Sequence, residues 1–185
     1  MSESPLFERA MGEHFALLPP PVQRFHRLRG RHELQGLVET DPPATALGRA
    51  IAWCVGTPHR ASHGPIRFVL EAAPDLETWT RHFPGRTMRS RMRFAPGHVV
   101  EHLGPARLTF ALDAAGGRLR MRLQGMRFLG IPCPAWLLPR LVAEETGDRS
   151  GQRERLHFRI EAALPLVGQV AGYRGYLVLP DATRP

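Results

Sequence analysis

From Pro65 onward, apolar and polar residues alternate with a period of two. Ile66, Phe68 and Leu70 share one face against Arg67, Val69 and Glu71, and Met88, Ser90, Met92 and Phe94 oppose Thr87, Arg89, Arg91 and Arg93. The same pattern returns at Leu108, Phe110 and Leu112, at Leu119, Met121 and Leu123, and at Leu156, Phe158, Ile160 and Ala162. Alternation of this kind marks antiparallel strands with one buried face. Pro84-Gly85, Pro96-Gly97, Gly104-Pro105 and Gly116-Gly117 separate the runs at hairpin spacing. Roughly eight to ten strands are expected, a number at which a sheet curls.

The first third of the chain reads differently. Leu6, Phe7, Ala10, Met11, Phe15 and Leu18 recur near helical spacing, predicting a helix over Pro5 to Leu18 that Pro19-Pro20-Pro21 breaks. A second short helix is expected from Val22 to Leu28, a strand from His32 to Thr40, and a third helix from Ala44 to Val55 after the Asp41-Pro42-Pro43 turn. The expected fold class is α+β, mainly β: one strongly curved antiparallel sheet or partly open barrel with N-terminal helices. One domain is expected over residues 1–185, since that length suits one ordinary domain.

Composition narrows the function classes. All 25 basic residues are arginine against 17 acids, giving a formal charge of +8. The excess sets up a field that attracts anions. The arginines are scattered among apolar residues rather than gathered in a tract, so nucleic-acid binding is not expected. No apolar run approaches the roughly 18 residues of a spanning helix, so no transmembrane segment is expected. The acidic Met1 to Glu8 stretch does not resemble a secretory signal. Two cysteines, Cys54 and Cys133, fit a reducing cytoplasm, and each is expected to be a buried small hydrophobe.

Signatures of a self-contained nucleotide fold and of a Gly-x-Ser-x-Gly nucleophile are missing. His59 and His63 lie among Pro58, Gly64 and Pro65, and His98 and His102 lie about 13 Å apart if on a strand, so no metal is expected from either pair and no cofactor is implied. Glu144 and Glu145 are adjacent, so on a strand they point to opposite faces. Asp75 and Glu77 flank a turn and are expected in solvent. A dyad of Glu101 with His82 or His157 remains open.

Two segments stand out. Trp79-x-Arg81-x-Phe83 puts an arginine between two aromatics on one strand face, where a guanidinium stacks on a ring and still binds an anion. Arg81 is therefore expected either to pair with a buried carboxylate, the favoured version, or to anchor an anionic ligand. Ile131 to Pro139 is apolar yet carries three prolines that disfavour a sheet ladder. It either plugs one end of the sheet or borders an apolar cavity with Trp136 at its rim. Met121, Met126 and Phe128 approach it in sequence.

Several blocks together resemble the bacterial domain of unknown function family 4166. These are Leu17-Leu18-Pro19-x-x-Val22-x-x-Phe25-His26, Trp79-x-Arg81-x-Phe83-x-Gly85-Arg86 with Arg89-Ser90, Gly104-Pro105, and Gly130-Ile131-Pro132-x-Pro134. Leu164-Pro165-Leu166-Val167-Gly168 and Tyr173-Arg174-Gly175 complete the set, over about Pro5 to Leu179. The resemblance implies no catalytic residues. It implies an association with an NAD-binding dehydrogenase-like or epimerase-like module, here a separate partner protein. Two function classes follow. The first is a module binding a lipophilic anionic small molecule, with Trp79, Arg81, Arg89, Met121, Phe128 and Trp136 as ligand-binding residues and arginines at the entrance. The second is an enzyme or accessory domain using His26, Trp79, Arg81 and Arg89.

Overall fold

The computed structural model describes residues 4–150 and 153–181. The strands are β1 (Gly30–Asp41), β2 (Ser62–Ala73), β3 (Leu76–Phe83), β4 (Arg86–Ala95), β5 (His98–Leu103) and β6 (Ala106–Ala115). They continue as β7 (Arg118–Phe128), the two-residue β8 (Ile131–Pro132), β9 (Arg140–Ser150), β10 (Arg153–Leu164) and β11 (Gly168–Val178). Ten of these eleven strands form an antiparallel ring in the order β1 to β7, β9, β10, β11 and back to β1. The sheet is thus a closed barrel rather than the partly open one the pattern also allowed. Closure removes the free ladder edges except along the upper halves of β7 and β9, where the two strands part, and beside β8.

Inward and outward faces follow the alternation. Leu34, Val38, Ile66, Phe68, Leu70, Met88, Met92 and Phe110 are buried inside. Arg67, Arg89, Arg91, Arg93 and Arg107 stand outside in solvent. An apolar interior within a charged exterior is the reverse of a membrane-spanning barrel, and among the described residues no helix is long and apolar enough to cross a membrane.

The N-terminal segment closes one end, the floor. Its expected long helix is interrupted at Gly12, whose φ of 57° ends α1 (Leu6–Met11), and the chain continues as a 3-10 helix over Gly12–Leu17. The three prolines also start the next helix: α2 (Pro20–His26) has proline at its first positions, where a missing N–H costs nothing. Phe7, Phe15, Val22 and Phe25 are almost wholly buried. α2 lies on β9 and β10, and a Cβ on Gly147 would stand 2.6 Å from Pro21. Arg9 pairs with Asp75 at 2.7 Å and Arg24 with Glu154 at 2.7 Å, tying the plug to the strand ends.

At the other end, the mouth, lies α3 (Ala46–Val55), with Thr45 Oγ1 accepting from the Gly48 N–H at 3.0 Å. Only Gly48 and Ala52 of this helix are buried, so Cys54 is exposed instead of buried as expected. The β7–β9 seam pairs only Leu119 with Glu145 and Arg120 with Glu144. Above it the strands diverge and residues 129–139 fill the gap. Prolines do not exclude this segment entirely: Ile131–Pro132 pair with β7 at an edge, where a missing donor is tolerated.

The β1–β11 junction depends on two glycines. A Cβ on Gly36 would lie 1.7 Å from the Tyr176 carbonyl oxygen, and one on Gly175 would lie 2.1 Å from that of Leu37. Both obstacles are backbone atoms in a ladder and cannot rotate away. Gly36→Ala is expected to destabilise the protein by about 3 kcal/mol, at the upper end for an overpacked site. Urea denaturation checks this; an unchanged midpoint would show that the junction has slack.

Candidate ligand-binding chamber

The plug fills only the lower part of the barrel. Above it lies a cavity of about 540 Å³ that opens at the mouth. Its walls are mainly apolar: Met88, Met92, Leu108, Phe110, Met121 and Met126 from one side, Leu141, Ile160, Val170 and Ala171 from the other. Ile51 and Val55 of α3 and Ile131, Pro134 and Leu137 of the proline-rich segment form the lip.

Polar groups gather at the deep end because β3, β5, β9 and β11 each turn one inward. Arg81 is buried and lines the cavity. Its guanidinium carbon lies 4.9 Å from the Trp79 ring centroid and 5.7 Å from that of Phe68. Its Nη1 donates to Ser90 Oγ at 3.1 Å. Among the described residues no carboxylate comes within ion-pair distance of it, so the favoured buried Arg81–carboxylate pair is absent.

Glu101 and Tyr173 face the same space. The Glu101 carboxylate has no hydrogen-bond partner among the described residues. Burial pushes the Tyr173 phenol up to about 12, with Arg81 pulling it down and Glu101 and Glu145 adding to the rise. The phenol therefore stays protonated, and a donor, at any physiological pH.

Beneath these lies a second layer. His26 Nε2 donates to Glu145 Oε2 at 2.8 Å, with its ring 3.9 Å from that of Phe7. Trp79 Nε1 donates to Glu77 Oε2 at 2.9 Å. The His26 side chain is fully enclosed by protein, so it belongs to the plug. Glu77 was expected in solvent; it is the first inward residue after its turn and is buried. Glu144 and Glu145 point apart, as adjacent strand residues must. Glu144 takes Arg118 and Arg120 outside at 3.0 and 2.9 Å, while Glu145 takes His26 inside.

The structure brings four of the six sequence-derived site residues to the chamber: Trp79, Arg81, Met121 and Phe128. Arg89 points outward, 3.8 Å from Glu71. Trp136 is 71% exposed and outside the lining, although its neighbours Pro134 and Leu137 belong to it. The arginine that lines the chamber is the deep Arg81, in company with Glu101 and Glu145. Glu101 is not joined to His82 or His157, which bind Thr87 and Asp148 on the outer wall. Among the described residues no group of three or more His, Cys, Asp or Glu is placed to hold a metal.

Fold and site together define a closed antiparallel β-barrel, plugged at one end and holding a chamber open at the other. The chain belongs to the family described as Domain of unknown function (DUF4166), whose model matches residues 18–177. Among solved structures, that of Rv2717c from M. tuberculosis is similar with a TM-score of 0.46 and 10% identity, covering 88% of this chain and 99% of that chain. No curated protein matches.

Burial raises the Glu77 carboxyl above its ordinary value of 4.5, against the opposing pull of His26 and the Trp79 hydrogen bond. Between 4.5 and the folded-state value, the native chain holds a proton that the unfolded chain has lost, so stability falls as pH rises through this window. Glu77→Gln keeps an acceptor for Trp79 and removes the titration. The variant is expected to lose less stability than wild type between pH 4.5 and neutrality, read as Tm against pH. Parallel curves would show that Glu77 ionises freely in the fold.

Proposed function

We propose that the barrel binds an elongated, lipophilic small molecule whose acidic head group reaches Arg81 and whose chain occupies the apolar upper chamber. The carrying observation is the state of Arg81. It is a buried cation facing a cavity, with one neutral hydroxyl and two aromatic faces as partners. An unpaired buried charge is costly, and a ligand anion offsets that cost. The Tyr173 hydroxyl supplies a second donor, and Glu101 an acceptor for a hydroxyl beside the acid group. The cavity volume of about 540 Å³ falls within the ordinary range for small-ligand sites.

This binding reading is favoured over catalysis by the enclosure of His26. Its ring is enclosed by the plug, so of the pair it forms with Glu145 only the carboxylate side borders the chamber. The chain's own strands wall the chamber, so this binding reading draws on no residue of a partner protein.

Titration with cis-parinaric acid, a fluorescent fatty acid, tests the reading. Saturable binding is expected, and Arg81→Gln should weaken it by about 10- to 100-fold, the loss of a charge-assisted hydrogen bond. The corresponding alcohol should bind wild type and variant alike. No saturable binding to wild type, or equal losses for acid and alcohol, would refute the assignment of Arg81 as head-group anchor.

A further inference from the structure

Exposed large apolar side chains are concentrated at the mouth. Trp53, Leu129, Ile131, Trp136 and Leu166 are each between 64% and 98% exposed. They come from three separate connections, α3, the proline-rich segment and the β10–β11 turn, that converge only because the barrel closes. An apolar rim of this kind on a folded chain marks an interaction surface.

Charge decides what covers it. The mouth connections, residues 42–61, 84–85, 104–105, 129–139 and 165–167, contain no aspartate or glutamate. In or beside them stand Arg49, Arg60, Arg107, Arg127 and Arg140, all exposed. The nearest acids on the outer wall are already paired, Asp41 with Arg174 at 3.1 Å and Glu161 with Arg159 at 2.8 Å. At the floor the balance is different: Arg9 pairs with Asp75 and Arg27 with Glu8, while Arg24 and Arg149 share Glu154. The net positive charge at the ends of the barrel therefore lies with the apolar rim.

We propose that the mouth docks on an anionic lipid bilayer. Indole rings favour the boundary between headgroups and acyl chains, and arginines buried to their stems hold the phosphates above. Basic residues near an anionic surface each contribute about fivefold in affinity at low salt. A barrel docked this way turns its opening toward the acyl layer. An amphiphile then enters without crossing water, a corollary that rests on the chamber reading; the docking itself does not.

Binding to phosphatidylcholine vesicles with and without phosphatidylglycerol tests the proposal, by co-sedimentation and tryptophan emission. Anionic vesicles should bind the full chain and shift the emission of Trp53 and Trp136 to the blue, with quenching by brominated acyl chains; Trp79 is already buried. Trp53→Ser with Trp136→Ser should abolish the shift and weaken binding at least about tenfold. Arg127→Glu with Arg140→Glu should weaken it about 25-fold or more. Arg91→Glu with Arg93→Glu, on the side wall, should leave it unchanged. Absence of vesicle binding overturns the proposal. So does loss of binding in the side-wall pair with retention in the mouth pair, or a chain that dimerises through the rim and ignores vesicles. The assay uses no chamber ligand, so its failure is separate from failure of the chamber reading.

Discussion

A ring of ten antiparallel strands encloses more space than its own inward side chains can fill, since about eight strands already match the side-chain volume available. The surplus must be occupied or left open, and this chain does both. Phe7, Phe15 and Phe25 enter from the N-terminal helices and fill the lower barrel, while nothing equivalent enters from above. The chamber is therefore a result of strand number together with a plug of limited height. Its level is set where Trp79 meets Phe7 at 5.9 Å and Phe25 at 5.7 Å.

That boundary is also where the polar residues lie. Glu77, Arg81, Glu101, Glu145 and His26 are all buried, an expensive concentration for an apolar core. Glu145 is satisfied from the plug by His26, and Glu77 from its own strand by Trp79. Arg81 and Glu101, turned upward, are left with little protein to bind. The lower layer thus acts as a structural clasp, and the upper layer keeps its bonding capacity for what enters the chamber.

Much of the scaffold was legible in the sequence because period two survives wherever one strand face is apolar. β11 was the least legible: Gly175 replaces a side chain that would mark its inward face between Tyr173 and Leu177, and it is there because the β1 backbone approaches too closely for a Cβ. Trp79 and Arg81 were found from spacing alone. The partner of Arg81 was not, because whether a buried cation is neutralised depends on which strand lies opposite. Ser90, not a carboxylate, sits within reach. Glu77 misled because adjacency to a turn reads as exposure, although its parity matched Trp79. Trp136 misled in the other direction: its segment lines the chamber, but a single 3-10 turn over Ala135–Leu137 swings the ring outward. Of the two readings open for the proline-rich stretch, the cavity border is the one the structure shows, and the plug comes from the aromatic-bearing N-terminal helices, which satisfy the same need for cover.

The seam between β7 and β9 gives the ring a built-in weak point. Only two residue pairs join these strands, with Glu144 held from outside by arginines and Glu145 held from inside by His26. Above that clasp, Arg122 to Met126 and Leu141 to Ala143 share no ladder, and the proline-rich bridge between them is tied down by its short pairing with β7 and by the Leu129 and Cys133 N–H groups, which donate to the Pro105 and Met126 carbonyls. To widen the bore at this place would break two ladder pairs, fewer than at any other joint of the ring, while the rest of the hoop stays fastened like a cuff below its button.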